Sequence, residues 1–364
     1  MIIISFGTPS ALSYAVERII ESISSEITPG HAHIYAVSIQ DLKNRWDQLD
    51  EARKENVTFF SDLPSSHVVS LFTRPHTPIV ISTDAFAVLV RYIMADRQAD
   101  FISAIRLASR AICMICLSTR SPNILFLSSQ RYSQSLFAFV EALVNHYGLN
   151  CSTEQFQNIL TRLSVPSCAN PKLEDYVKSQ FPKIVEAETG NAIQTQNEEL
   201  LGKLSNAYDA LINSESLPKI SWPRELFLEA PNFQTLSARI ELAGPARILI
   251  HGPYLHLPAG KWTAEVEIEV GECQSQNRIV VDIFSEGLLD HGIMKLPPQG
   301  LFSFELSFVV DDPFKPIELR FHLKEGAIEG YFILNSVQLV PAASDSSDAA
   351  SGPGDDGLRS PSPH

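Results

Sequence analysis

The chain has 364 residues, 45% of them hydrophobic, and a formal net charge of -14. Such a length and apolar content predict a globular protein of about two domains. The acidity excludes wholesale nucleic-acid binding through a basic surface, and no apolar run reaches the ~20 residues that span a bilayer.

The chain opens with "MIIISFG". This run lacks a basic n-region and a small-residue cleavage site, so it reads as a buried strand rather than a secretory leader, and the cytoplasm is the expected compartment. "GTPS" follows, then "ALSYAVERIIESI", where Leu12, Ala15, Val16, Ile19, Ile20 and Ile23 recur at helical spacing. "HIYAVSI", "SHVVSLF" and "TPIVIST" read as further strands, the last leading into the helix "AFAVLVRYIMADR". A long helix is predicted over 100–117, then the strand "NILFLSS" and the helix "SLFAFVEALVNHYGL", with Gly148 as its C-cap. Strands alternating with helices imply an α/β domain over 1–165, built on a parallel sheet.

Residues 166–221 are polar, with one clear helix in "NEELLGKLSNAYDALIN", and read as a helical connector. Over 222–341 the period changes to two. In "KWTAEVEIEV", Trp262, Ala264, Val266, Ile268 and Val270 share one face; "NRIVVDIF", "LFSFELSFVV", "IELRFHLK" and "YFILNSVQLV" supply more strands. Pro258-Ala259-Gly260, Pro297-Pro298-Gln299-Gly300 and Asp311-Asp312-Pro313 supply turns. Strands with one apolar face each predict an all-β jelly-roll sandwich. The segment 342–364 is acidic, rich in Ser, Gly and Pro, and reads as a disordered tail.

Five cysteines at scattered positions make no disulfide framework. Cys113 and Cys116 form a CxxC, which reads either as a redox or metal pair or as two small residues on a buried helix face. With no second CxxC to complete a zinc site, the buried face is the expectation, and no metal site is predicted.

With these elements in view, residues 1–150 resemble the sulfotransferase family. "NILFLSSQRYSQSLFAFVEALVNHYGL" is similar to that family's late strand, turn and helix, and "TPIVISTDAFAVLVRYI" to its strand into the 3′-phosphate loop. The resemblance implies a P-loop-like α/β fold and 3′-phosphoadenosine 5′-phosphosulfate (PAPS) as a possible cofactor, held by free N–H groups at a helix N-terminus. Gly7, Thr8, Ser10 and Ser13 are the corresponding loop donors, with Arg91 on a later helix near the 3′-phosphate. The loop departs from the family pattern: its lysine is absent, and Pro9 removes an N–H donor. His31, His33 and Glu17 are the acid/base candidates for an acceptor hydroxyl; loop histidines and an exposed polar stripe are the plain alternative.

"GPARILIHGPYLHLPAGKWTAEVEIEV" resembles the opening of the accessory carbohydrate-binding sandwiches of bacterial glycan-modifying proteins, through Gly252, Pro253, Tyr254, Leu257, Pro258, Ala259, Gly260 and Trp262. Trp262 falls on the apolar face of its strand and reads as core. Arg247, His251, Tyr254, Arg320 and His322 are the candidate glycan ligands. The expected function is a glycan- or polysaccharide-associated protein whose degenerate sulfotransferase-like domain binds rather than catalyses. The alternatives are a PAPS-dependent sulfotransferase acting on a saccharide, and an assembly protein that offers the sandwich to a protein partner. Neither nucleic acid nor a transmembrane segment is expected.

Overall fold

In a computed structural model, the described residues are 1–364 apart from 29, 74–75, 117–122, 164–169, 183–194, 214–215, 231–233 and 343–364. Cys168 and all of the expected tail but Ala342 lie outside the described residues.

The first half is a five-stranded parallel sheet. Its strands are β1 (Ile2–Gly7), β2 (Ala32–Tyr35), β3 (Val57–Ser61), β4 (Ile79–Thr83) and β5 (Ile124–Ser128), in the spatial order β2-β3-β1-β4-β5. Ile4 of the central strand stands beside Phe59 on one side and Ile79 on the other. The intervening helices are α1 (Ala11–Ile27), α2 (Ile39–Asp47), the single turn α3 (Glu51–Lys54), α4 (Ser66–Phe72), α5 (Phe86–Arg97) and α6 (Phe101–Cys116). After β5 come α7 (Leu136–His146), α8 (Thr153–Arg162), α9 (Leu173–Gln180) and α10 (Thr195–Asn213).

Helix α1 follows from its sequence. Ser10 caps it by accepting from Ser13 N–H, and the six apolar residues named above are all buried. Each such burial stabilises by roughly 1.5–3 kcal/mol for a full-sized aliphatic side chain. With α7, α8 and α9, α1 covers the sheet face that carries Ile3, Val80 and Leu127. The opposite face, with Ile4, Phe6, Ile34 and Phe59, meets α2, α4 and the last turn of α6.

One expected strand is corrected. "SHVVSLF" is helix α4, and the strand in that position is Val57–Ser61. Val68, Val69, Leu71 and Phe72 recur at helical spacings after Pro64-Ser65, a helix-opening pair, whereas Val57-Thr58-Phe59-Phe60 is the β-branched and aromatic run that a buried strand favours.

The second half consists of two antiparallel sheets. One contains, in order, β14 (Leu288–Lys295), β13 (Arg278–Phe284), β16 (Ile317–Leu323), β10 (Arg247–His251), β7 (Leu228–Glu229) and β8 (Gln234–Thr235), with β11 (Pro253–Leu255) also on β16. The other contains β15 (Gly300–Val310), β12 (Gly260–Gly271), β17 (Tyr331–Pro341) and β6 (Ile220–Ser221), with β9 (Ile240–Glu241) on β17. The alternation is kept in register: Trp262, Ala264, Val266 and Ile268 stand opposite Phe308, Leu306, Phe304 and Phe302. Phe321 and Phe332, one from each sheet, stack with ring centroids 5.4 Å apart. The chain is thus a parallel α/β unit joined to an all-β sandwich.

The two parts share buried contacts. Ile105 and Ile112 of α6, and Leu204, Tyr208 and Leu211 of α10, lie in one apolar cluster with Trp222, Leu257 and Trp262. Cys113 and Cys116 are buried on α6; Cys113 Sγ donates to His256 O at 3.2 Å. Among the described residues, no helix is long and apolar enough to cross a membrane.

Candidate functional site

In a parallel sheet, ligands bind outside the carboxyl ends of the strands, where neighbouring connections leave in opposite directions. Here β1 connects towards β2 and β4 towards β5, so the switch point lies between β1 and β4. It gathers the loop 7–13, Asp62 after β3, Asp84 after β4 and Tyr132 after β5.

The loop is closed on itself. Thr8, Ser10 and Ser13 are all fully buried. Thr8 N–H donates to Ser82 O at 3.1 Å and to Ser13 Oγ at 3.2 Å. Thr8 Oγ1 donates to Thr83 Oγ1 at 3.0 Å, and Ser13 Oγ to Ser82 O at 3.0 Å. Gly7 is there for space: a Cβ would stand 2.7 Å from Ser13 Cβ.

The start of α1 already has an anion. Asp84, 2% exposed, receives the Ser10 hydroxyl, the Leu12 backbone N–H and the Tyr132 hydroxyl, the last at 3.3 Å. Burial pushes its carboxyl up to about 6, against the opposing pull of those hydrogen bonds. A carboxylate at a helix N-terminus is favoured by the free N–H groups and the dipole, as a phosphate would be. The loop as folded therefore does not fit the phosphates of PAPS: its donors are spent internally and its N-terminal field is met by Asp84.

The cations named from sequence or found nearby are committed elsewhere. Arg91 Nη2 bonds both carboxylate oxygens of Glu198 on α10, at 2.9 and 2.7 Å. Arg97 Nη2 donates to Asp62 Oδ2 at 2.7 Å, and that fully buried carboxylate also accepts Tyr14 Oη at 2.6 Å and Tyr35 Oη at 2.5 Å. The acid/base candidates lie beside this group. On α1, Tyr14 shares Asp62 with Tyr35, Glu17 stands beside His33, and Glu21 acts on His31. His33 Nε2 sits 3.1 Å from Glu17 Oε1. Burial, which lowers the His33 pKa, is outweighed by Glu17, so the value is raised. At His31 burial wins over Glu21, and the pKa is lowered.

The sandwich half gathers a second cluster, on the outer face of the sheet that carries β13 and β16. Arg320 Nε donates to Asp282 Oδ1 at 2.7 Å, and His322 Nε2 lies 3.0 Å from Asp282 Oδ2. The Arg320 guanidinium also lies over the Phe284 ring, 3.9 Å from its centroid. Burial would raise the Asp282 carboxyl, but the neighbouring His322 and Arg320 hold it low. Beside them Tyr254 Oη lies 2.7 Å from His251 Nδ1, and the Arg106 guanidinium of α6 lies 4.8 Å from the Tyr254 ring centroid. Tyr254 and Glu318 are hydrogen-bonded; burial first, then Glu318, pushes the tyrosine up to about 12. Burial, Arg106 and Arg320 lower the His251 pKa, which favours its neutral form.

Tyr254 has φ +67°, a left-handed conformation that bulky residues avoid and that recurs where a side chain is held for a purpose. Around this group the same sheet face exposes Ile248, Leu288 and Ile293. Ile248 and Val280 both stand opposite His322, and Ile293 opposite Val280, so one row across four strands carries apolar side chains around an imidazole.

Of the five glycan candidates, the structure thus brings together His251, Tyr254, Arg320 and His322. Arg247 stands apart: its guanidinium donates to the carbonyls of Glu241, Pro245 and Leu242 at 2.8, 3.2 and 3.4 Å. Trp262 is core, with its Nε1–H on Pro258 O at 3.0 Å. Sequence reasoning missed Asp84, Asp62, Arg106, Asp282 and Glu318. A buried acidic residue directly after a strand, as in "VISTDAF" and "FFSD", was the available signal for the first two.

No family model matches the chain, and no curated protein matches it. Solved structures similar to it include a mouse sulfotransferase, SULT7A1, complexed with PAP, at 10% identity over 58% of this chain and 87% of that one, with a TM-score of 0.38. They also include the xylan-binding module CBM15, at 11% identity over 34% of this chain and 97% of that one, TM-score 0.25. A third is TmCBM61 in complex with β-1,4-galactotriose, at 11% identity over 28% of this chain and 68% of that one, TM-score 0.22. Resemblances at these identities and scores assign no residue and no activity.

Proposed function

We propose that the protein is a glycan-binding protein, with the outer face of the β13–β16 sheet as its binding surface and the α/β unit as a non-catalytic support. On this reading residues 222–341 are the binding module and 1–165 the support.

The observation that carries the reading is the Tyr254 group. A sugar ring offers adjacent hydroxyls that pair with planar charged groups, and C–H faces that pack on apolar or aromatic surface. Arg320, His322 and Glu318 are planar polar groups on one sheet face, partly open to solvent and anchored on the buried Asp282, beside Tyr254, Phe284, Ile248 and Ile293. The few polar groups converge within an apolar surround, the usual make-up of a small-molecule site. The closed loop and the Asp84 carboxylate argue against sulfuryl transfer, which needs a held anionic donor and a cation to meet developing charge.

The test is a glycan array probed with the full chain, followed by titration of the best saccharide. Wild type binds a defined set of glycans; Tyr254→Ala and Arg320→Ala each weaken binding at least tenfold while the far-ultraviolet circular dichroism is unchanged. Silence across the array, or equal binding by both folded variants, overturns the reading.

A further inference from the structure

The face of the parallel sheet opposite α1 is incompletely covered. Near the amino ends of β1, β2 and β3, between α2 and α4, it opens into a cavity of about 620 Å³. This lies within the ~300–1,000 Å³ that small-molecule sites occupy, and away from the carboxyl edge that holds Asp84. Ile4 and Phe59 form its floor, Ile39 and Trp46 of α2 one wall, and Leu71 of α4 the other.

Two features mark it as a site rather than a packing gap. Helix α2 places Ile39, Leu42 and Trp46 on one stripe, yet only Leu42 is buried; its apolar face is turned to the cavity and left unfilled. At the mouth Ile2, Ile39 and Leu71 are exposed together around the cavity, a grouping of the kind that marks binding grooves. Lys43 is the one charged residue lining the cavity among the described residues, on the next position of the same helix face. No ion pair involving Lys43 is found among the described residues. Among the described residues the lining is apolar with one cation at the rim, a surface complementary to a single-chain anionic amphiphile.

We infer that this cavity binds an amphiphile with an unbranched alkyl tail and an anionic head, such as a fatty acid, the tail lying against Phe59 and Trp46 and the head against Lys43. Each buried methylene tightens binding about fourfold, so affinity rises with chain length until the cavity is full. The inference is independent of the glycan surface.

The experiment uses the full chain and 12-bromododecanoate, whose bromine quenches a tryptophan it touches. Trp222 and Trp262 are each 1% exposed in the core, so Trp46 is the responsive one of the three. Saturable quenching below the aggregation concentration of the probe is expected, lost in Trp46→Phe and competed by dodecanoate. Lys43→Gln, a surface change, weakens dodecanoate about tenfold and leaves 1-dodecanol unaffected; Leu71→Tyr narrows the mouth and weakens both. Absence of saturable quenching overturns the inference. So does competition by dodecyltrimethylammonium equal to that by dodecanoate, or a dimer in light scattering that persists with probe and dissociates in Ile39→Glu.

Discussion

The hydroxyl of Tyr132 and the carboxylate of Asp84 meet at 3.3 Å above the first turn of α1. This joins the ends of three elements, since Asp84 also takes Ser10 and the Leu12 N–H. The helix N-terminus at the carboxyl edge of the parallel sheet, where an anion would be held, is tied shut by a group of the chain itself.

That closure has a pH signature. The Asp84 pKa rises from 3.8 to about 6 on folding, so between those values the folded state holds the extra proton. Its contribution is fully present below about pH 4 and is lost as pH rises through 6, a change of roughly 3 kcal/mol at ~1.36 kcal/mol per unit. Asp84→Asn lacks this titration. Urea unfolding of both proteins from pH 4 to 7 checks it: the stability difference moves in favour of Asn by about that amount, then levels off.

Gly7→Ala places a methyl 2.7 Å from Ser13 Cβ and 3.2 Å from the Phe60 ring. The loop and α1 must separate, at a cost of about 1–3 kcal/mol. Thermal unfolding reads this as a lower Tm without change in the far-ultraviolet spectrum.

Glu17 and His33 give an opposite-charge pair that depends on protonation. The folded pKa of His33 is raised above its ordinary 6.5 by Glu17, after burial has been overcome. The pair therefore stabilises fully below about pH 6.5 and less as pH rises through the raised value. Glu17→Gln destabilises more at pH 5.5 than at pH 8.5 in urea titrations; equal losses at both would place the two groups apart.

Arg97→Met removes the cation from Asp62, whose side chain has no exposure. Tyr14 and Tyr35 remain as donors, so the cost is that of one charged hydrogen bond and its neutralising charge, about 2–3 kcal/mol. Asp62→Asn in the Arg97→Met background recovers part of it, as a double-mutant cycle shows.

The legible parts of the fold were those with strong periodicity. The stripe from Leu12 to Ile23 and the alternation from Trp262 to Val270 each admit one secondary structure, and the structure has them. Short apolar runs were ambiguous, which is why Ser66–Phe72 was read as a strand and Val57–Ser61 was passed over. Clusters built by register were not legible at all. Asp282 meets Arg320 because β13 pairs with β16, across 38 positions of sequence, and Arg106 reaches Tyr254 from another domain-scale element. Asp84 was visible, but its place over α1 depends on the β1–β4 pairing.

The carboxyl edge of the parallel sheet is closed by the chain's own side chains, and the proposal places recognition on the sandwich. The most direct measurement is the titration of the full-length protein with 3′-phosphoadenosine 5′-phosphate, read by calorimetry and by thermal stabilisation. The account predicts no heat of binding and no shift in Tm up to millimolar nucleotide. Saturable binding by the wild-type chain, weakened by Thr8→Val, would contradict it.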